Sequence, residues 1–155
     1  MDDFDWTAKG KAAVADSPVS ANASASQTSK LSADSLSMSG KLEVKSTVDP
    51  QGFGTANSLA ASNFEVTFKL DVATNFTLTG SHSFFSHDHT SERANFSITA
   101  KGTVVATMND LNGVPKALQL PAGKITLIFD TQVGAQTDPL GDTGTYIYSF
   151  SLVGS

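Results

Sequence analysis

Strict alternation of apolar and polar residues is the feature that most constrains the fold of this chain. It is clearest at residues 63–71, N-F-E-V-T-F-K-L-D, where every second residue is large and apolar. Successive side chains of a strand point to opposite faces, so the pattern predicts a strand with one buried and one solvated face. The alternation resumes at residues 76–84 and 96–100. We predict that these three consecutive strands form the centre of one antiparallel sheet.

Similar alternation recurs at residues 36–48, 104–108, 118–120, 125–129 and 146–152, and no segment has a period of 3.6. Turn-forming sequences such as N-G and P-A-G separate these runs. About eight to ten strands of this kind predict an all-β fold, a two-sheet antiparallel β-sandwich of jelly-roll or immunoglobulin type. The predicted core consists of Phe64, Val66, Phe68, Leu70, Phe76, Leu78, Phe96, Ile98, Leu127, Phe129 and Phe150.

Residues 1–30 allow two interpretations. Small residues alternate with a period of two, which favours Ala/Ser-rich edge strands, but Ala and Gly are poor strand formers and also suit a flexible arm. We expect the segment to pair within its own chain, with Trp6 covering one end of the core. An exposed, weakly charged edge also permits self-assembly, but we favour a monomer.

Length and charge exclude several classes of protein. The 155 residues suit a single domain, and only 16% are charged against about 25% in average proteins. A net charge of -5 supplies no electrostatic footprint for nucleic acid. The chain has no cysteine and no apolar run of the ~20 residues that a membrane-spanning helix needs. It begins without a basic, apolar leader, and we expect an extracellular or cell-envelope protein whose signal peptide has been removed.

Histidines are concentrated near one predicted turn. His87 and His89 lie beside Asp88 and Glu92, and imidazoles with a nearby carboxylate can bind zinc or copper. The same residues are tolerated at a hairpin tip, and we favour a plain turn. His82 shares the inward phase of the preceding strand, so we expect it at the edge of the core.

The last predicted loop offers oxygen ligands for a structural calcium ion. Asp138 and Asp142 flank Gly141, and carboxylates from other loops are able to join them. The spacing is not that of an EF-hand, and Asp-Pro and Gly-Asp pairs are common turn formers. We therefore expect no cofactor, with structural calcium as the alternative.

Exposed aromatic residues are candidates for sugar binding. Trp6 and Phe53 are the two candidates, Phe53 because glycines flank it, whereas Tyr146 and Tyr148 share the phase of the core. For catalysis the chain offers no G-x-S-x-G nucleophile elbow and no carboxylate pair outside the turns. We therefore expect no enzymatic activity.

Five short segments share their order with a known family. They are A-N-A-S-A-S at residues 21–26, F-E-V-T-F-K-L-D at 64–71, F-T-L-T-G at 76–80, L-Q-L-P-A-G-K-I-T-L at 118–127 and Y-S-F-S-L at 148–152. In this order the chain resembles the extracellular region of bacterial PEP-CTERM proteins, although their Pro-Glu-Pro sorting signal is not among residues 1–155. The resemblance implies sorting by exosortase to the envelope or the exopolysaccharide matrix.

Together these features predict a non-enzymatic, secreted β-sandwich with a structural or binding role at the cell surface or in the matrix. Its expected partners are polysaccharide or other envelope proteins. A carbohydrate-binding module is the second hypothesis, and a hydrolytic enzyme of unknown type is the third.

Overall fold

The computed structural model describes residues 4–16, 19–32, 34–48, 55–86, 89–136 and 141–154, with side chains from residue 20 onward. The strands in these residues are β1 (Phe4–Asp16), β2 (Val19–Leu31), β3 (Ser35–Val48), β4 (Asn57–Leu70), β5 (Thr74–Ser86), β6 (Thr90–Ala100), β7 (Thr103–Thr107), β8 (Lys116–Leu120), β9 (Gly123–Gln136) and β10 (Asp142–Gly154). A short 3-10 helix, Met108–Asp110, follows β7. Nowhere in the described ranges is a helix long and apolar enough to cross a membrane.

The strands form two antiparallel sheets that pack face to face. The six-stranded sheet has the order β1-β2-β3-β10-β5-β8, and the four-stranded sheet has the order β4-β9-β6-β7. β1 pairs with β2, and β2 pairs with β3. The described part of the first thirty residues therefore forms strands that pair within the chain. The prediction of an all-β, two-sheet antiparallel sandwich is confirmed.

The prediction that residues 63–100 form three neighbouring strands is wrong. β4 and β6 belong to the four-stranded sheet and are separated there by β9, whereas β5 lies in the six-stranded sheet. After β3, every connection other than β6–β7 passes from one sheet to the other. Alternation defines which side of a strand is apolar but not its partner, and here the apolar sides face each other across the sandwich.

The core lies between the sheets and is deepest along β9 and β10. Of the predicted core, the residues outside β4 are all buried, namely Phe76, Leu78, Phe96, Ile98, Leu127, Phe129 and Phe150. The four apolar residues predicted on β4 pack against this core but are only partly buried. Their inward phase is therefore correct, and their predicted depth is wrong.

A β-bulge explains one further error, at the short strand β7. We predicted that Val104, Ala106 and Met108 share one phase, but Val104 is 54% exposed and Met108 begins the 3-10 helix. The register shifts between Ile98 and Thr99, so that Ala106 lies opposite buried Ile98 while Val104 lies opposite Thr99. The extra residue, Val105, turns Val104 outward.

A buried polar network links three strands across the core. The hydroxyl of Tyr148 on β10 extends over Gly40 on β3, where an added Cβ would lie 2.2 Å from the Tyr148 hydroxyl oxygen. This hydroxyl lies 3.0 Å from that of Ser62 on β4, and Ser62 donates to Gln27 Oε1 on β2 at 2.6 Å. Gln27 Nε2 in turn donates to Ser29 at 3.0 Å. Buried polar groups need hydrogen-bond partners. These bonds form only when β4 of one sheet is aligned with β2 and β10 of the other, so the network favours that alignment.

Candidate functional site

The outer surface of the six-stranded sheet is dominated by serine and threonine. On β2, β3, β10 and β5 the outward positions alternate with the core positions, so their side chains face solvent. We call this surface the hydroxyl face. Its hydroxyl residues, all exposed or half-buried, include Ser24, Ser26, Thr28, Ser35, Ser37, Ser39, Thr79, Ser81, Ser83, Thr143, Thr145, Ser149 and Ser151.

The strand register aligns these hydroxyls in rows that run across the sheet. One row passes from Thr28 on β2 through Ser39 and Ser149 to Ser81 on β5. Neighbouring strands in a sheet are about 4.8 Å apart, so adjacent hydroxyls of a row are within reach of one small polar ligand. Each hydroxyl is both a donor and an acceptor, which suits a ligand that itself carries hydroxyls.

Four of these hydroxyls line a depression between β5 and β10. It has a volume of about 320 Å³ and is lined by Thr79, Ser81, Ser149 and Ser151, with Gly113 at one side. The hydroxyls of Thr79 and Ser151 are 3.2 Å apart, and those of Ser81 and Ser149 are 3.4 Å apart. These contacts orient the four oxygens while leaving lone pairs and protons for a ligand.

The loop that follows the 3-10 helix forms the side of this depression. β8 pairs with β5 only as far as Leu78, and beyond that point Gly113 N donates to Gly80 O at 2.7 Å. Leu111 is buried beside Gly80, where an added Cβ would lie 2.6 Å from Leu111 Cδ2. The absence of a side chain at Gly80 thus lets the loop pack closely against β5.

An ion pair holds the start of the same loop. Lys116 Nζ lies 2.7 Å from Asp110 Oδ1, and the backbone N–H of Thr107 donates to Asp110 Oδ2 at 2.8 Å. The hydrogen bond from Lys116, followed by that from Thr107, lowers the pKa of Asp110. The Asp110 carboxylate is therefore charged at neutral pH and keeps its contacts with Lys116 and the Thr107 N–H.

A second depression lies further along the hydroxyl face. Its volume is about 310 Å³, and its outward-facing lining residues are Asn22, Ser24, Glu43, Lys45, Thr143 and Thr145. Glu43 Oε1 forms an ion pair with Lys41 Nζ at 2.6 Å, and both side chains are exposed. The second depression thus offers an amide, hydroxyls, an ammonium group and the carboxylate of Glu43.

Two exposed apolar side chains lie beside the depressions: Ile147 on β10 is between Thr145 and Ser149, and Phe85 on β5 is level with the second depression. Phe85 is 62% exposed and lies opposite Thr145 of β10, and Ile147 beside it is 43% exposed. Along β10 the two depressions are centred about six residues apart, near Gly144 and Phe150, which corresponds to roughly 20 Å. The arrangement is therefore a polar, an apolar and a second polar patch along one strand.

Of the four predicted metal ligands, the structure brings two together. His89 Nδ1 lies 3.5 Å from Asp142 Oδ2, although we had assigned these residues to two different sites. Asp142 belongs to β10 rather than to a loop and is buried opposite Ser46. His87 and Asp138 lie outside the described residues. In the described part of the chain, no group of three or more His, Cys, Asp or Glu side chains is placed to hold a metal ion.

The structure does not describe the side chains of the two predicted sugar-binding aromatics, Trp6 and Phe53. Trp6 lies in β1 opposite Ser29, and its side chain is outside the described part. Phe53 lies outside the described residues altogether. The aromatic residue that the structure does expose on the hydroxyl face is Phe85, which we did not predict. Its signal was available, because Phe84 follows the inward phase and Phe85 must then point outward.

Tyr146 and Tyr148 are in the core, as predicted, but their hydroxyls do not reach its edge. The two residues are 1% and 2% exposed. Burial is the main cause that raises the pKa of Tyr146, with the nearby charge of Glu92 adding to it. Burial also raises the pKa of Tyr148, against the hydrogen bond with Ser62, which lowers it. Both phenols are therefore neutral structural groups at physiological pH.

His82 has the predicted inward phase and lies next to buried Tyr146, but it is exposed rather than partly buried at the edge of the core. Its ring centroid is 6.0 Å from that of Tyr146, on the inner side of β5. β7 pairs only with the Ser97–Ala100 end of β6, so it does not extend alongside the other half of that strand. The inner side of β5 is exposed to solvent at His82, while Phe84 on the same side packs against the core.

No protein-family model, curated protein or solved structure matches the chain. Functional assignment therefore rests on the geometry of the hydroxyl face.

Proposed function

We propose that this protein is a non-enzymatic, polysaccharide-binding β-sandwich of the bacterial cell surface or extracellular matrix. The observation that carries the proposal is the pair of polar depressions along β10, with exposed Ile147 between them and exposed Phe85 opposite Thr145 of the second. Sugar rings present an apolar C–H face, which packs on aromatic rings, and hydroxyls at the rim, which hydrogen-bond to polar side chains. The hydroxyl face supplies both kinds of partner on the neighbouring strands β10 and β5.

The charged groups of the hydroxyl face favour binding over glycoside hydrolysis. Hydrolysis of this kind generally uses two carboxyl groups on either side of the scissile bond. On the outer face of the described strands β2, β3, β10, β5 and β8, Glu43 is the only carboxylate, and Lys41 engages it at 2.6 Å. A face with this set of groups is suited to holding a glycan without cleaving it.

Composition supports an extracellular location. Only 16% of the residues are charged, and the outward positions are rich in Ser and Thr. The order of segments that resembles PEP-CTERM proteins points to the same compartment, where exopolysaccharide is the abundant polymer. A binding role in that matrix requires no cofactor and no catalytic group.

A polysaccharide panel tests this proposal. The full chain is incubated with immobilised polysaccharides, and the affinity for each binder is measured for the native protein, Phe85→Ala and Leu59→Ala. Leu59 is the matched control because it is 57% exposed on the outer face of the other sheet. We expect Phe85→Ala to weaken binding about two- to tenfold, the range for losing one aromatic contact. Absence of binding throughout the panel, or equal losses for the two variants, contradicts the proposal.

A further inference from the structure

The hydroxyl face carries a positive charge in a chain that is negative overall. The described outward positions of β2 and β3 hold Lys30, Lys41, Lys45 and Glu43, whereas those of β10 and β5 hold no charged residue. Three lysines and one glutamate give this surface a formal charge of +2, against -5 for the whole chain. Such a local excess attracts anionic ligands even when the net charge of the protein is negative.

Lys45 is the residue that brings this charge to the second depression. It lines that depression together with Glu43, but Glu43 is already engaged by Lys41 at 2.6 Å. Within the described residues, no carboxylate forms an ion pair with Lys45. Its ammonium group therefore remains available to a ligand, beside the hydroxyls of Thr143 and Thr145.

Lys30 occupies a corresponding position with respect to the first depression. It lies opposite Ser37, and the same row continues through Ser151 to Thr79, both of which line that depression. Lys30 is thus two strand spacings, or roughly 10 Å, from Ser151. A long, flexible lysine side chain spans much of that distance, so Lys30 lies in the same row as the first depression without lining it.

Resting on the proposed polysaccharide binding, we infer that the ligand is an anionic polysaccharide whose acidic groups pair with Lys45 and Lys30. Its sugar hydroxyls bind in the two depressions, and its apolar face packs on Phe85. A polymer with acidic groups repeated along its length meets both lysines, whereas a small anion meets only one. Once one acidic group of the polymer is bound, the next is held near the second lysine at a high effective concentration. The overall affinity therefore exceeds that of either contact alone.

The test compares polygalacturonate with its carboxyl-reduced, neutral counterpart, using the full chain. We expect tighter binding to polygalacturonate, with an affinity that falls as salt is raised from low to physiological concentration. Lys45→Ala should weaken that binding about two- to fivefold, the range for an exposed ion pair, and should weaken binding to the neutral polymer by a smaller factor. The matched control is Lys124→Ala, an exposed lysine on the outer face of β9. Circular dichroism verifies that each variant is folded.

The possible outcomes separate this inference from the proposed function. Equal affinity for the two polymers, or equal effects of Lys45→Ala and Lys124→Ala, overturns the anionic ligand while leaving polysaccharide binding intact. A sulfated dextran included beside plain dextran shows whether sulfate replaces carboxylate as the partner of the lysines. Binding to neither charged nor neutral polymers contradicts both proposals.

Discussion

Strands β4 and β9 are neighbours in one sheet and alternate in the same way, yet they differ in depth. Phe129 on β9 is 0% exposed, while Phe64, its cross-strand partner on β4, is only partly buried. The same contrast separates Leu127 from Val66 one pair further along. Two identical patterns therefore give a core strand in one case and a border strand in the other.

The neighbours of each strand explain the contrast. Both strands contact the opposite sheet, β9 at β3 and β10 and β4 at β2 and β3, but β9 lies between β4 and β6, whereas β4 is an edge strand that pairs only with β9. Beside β4 the two sheets enclose a narrow apolar slot of about 80 Å³. Its apolar lining residues are Leu31, Leu36, Phe68, Leu70, Phe76 and Leu152. The depth of a side chain is thus decided by the elements around its strand and not by the alternation.

Truncation of Phe129 should have the largest effect on stability. Its ring centroid is 4.4 Å from that of Tyr148 and 5.8 Å from that of Phe150, and none of its surface is exposed. We expect Phe129→Ala to lower the free energy of unfolding by about 3–5 kcal/mol, the loss typical of a buried aromatic residue. Urea unfolding followed by tryptophan fluorescence or circular dichroism provides the measurement.

The corresponding truncation on β4 should cost much less. Because Phe68 is half-buried beside the slot, we expect Phe68→Ala to lower the free energy of unfolding by about 1–2 kcal/mol, a fraction of the full burial term. This value replaces the larger loss that full burial would imply. Equal losses for Phe68→Ala and Phe129→Ala would show that β4 is as deeply packed as β9 and that the comparison is wrong.

The fold class was predictable because it depends on local pattern. Alternation identified the apolar sides of β5, β9 and β10, and Gly, Pro, Asn and Asp marked the chain reversals. Strand order was not predictable, because a turn sequence such as P-A-G at residues 121–123 does not reveal that the chain changes sheets there. The bulge at Val105 likewise depends on tertiary pairing.

The candidate site was predictable only in its separate components. The outward Ser and Thr positions and Phe85 follow from the alternation once the inward phase is known. Their assembly into two depressions depends on β10 lying between β3 and β5, a neighbour relation between distant segments. The contact of His89 with Asp142 has the same origin, since residues 53 positions apart meet where β6 and β10 begin.

Substitution of Ser62 tests a polar difference between the same two strands. Ser62 on β4 contacts Tyr148 and Gln27, whereas the opposing Thr131 on β9 donates only to the Ser62 carbonyl, at 3.3 Å. We expect Ser62→Ala to lower the free energy of unfolding by about 1 kcal/mol, because it removes partners from buried groups. Since the Ser62 hydrogen bond lowers the pKa of Tyr148, its loss should raise that pKa further.

The pH dependence of stability has a defined sign. Burial raises the pKa of Tyr148 above that of an unfolded tyrosine, about 10, so folding favours the neutral phenol. Its contribution to stability is complete below about pH 10 and is lost as the pH rises through the folded value. Ultraviolet titration of tyrosinate should show a later transition in Ser62→Ala and no such delay in Thr131→Val. A delay of equal size in both variants would contradict the assignment to Ser62.

The smallest effect should come from the outer positions of β4 and β9, where the two strands are alike. Thr67 and Thr126 face each other across the pair, and their hydroxyl oxygens are 3.1 Å apart on the exposed surface. Each substitution by alanine should change the free energy of unfolding by less than about 0.5 kcal/mol, as exposed positions generally do. A double-mutant cycle should give a coupling energy of a few tenths of a kcal/mol, since water replaces the lost partner of each hydroxyl. A coupling above about 1 kcal/mol would mean that the outer face of the edge strand is itself part of a packed surface, and the contrast between β4 and β9 would then extend beyond the core.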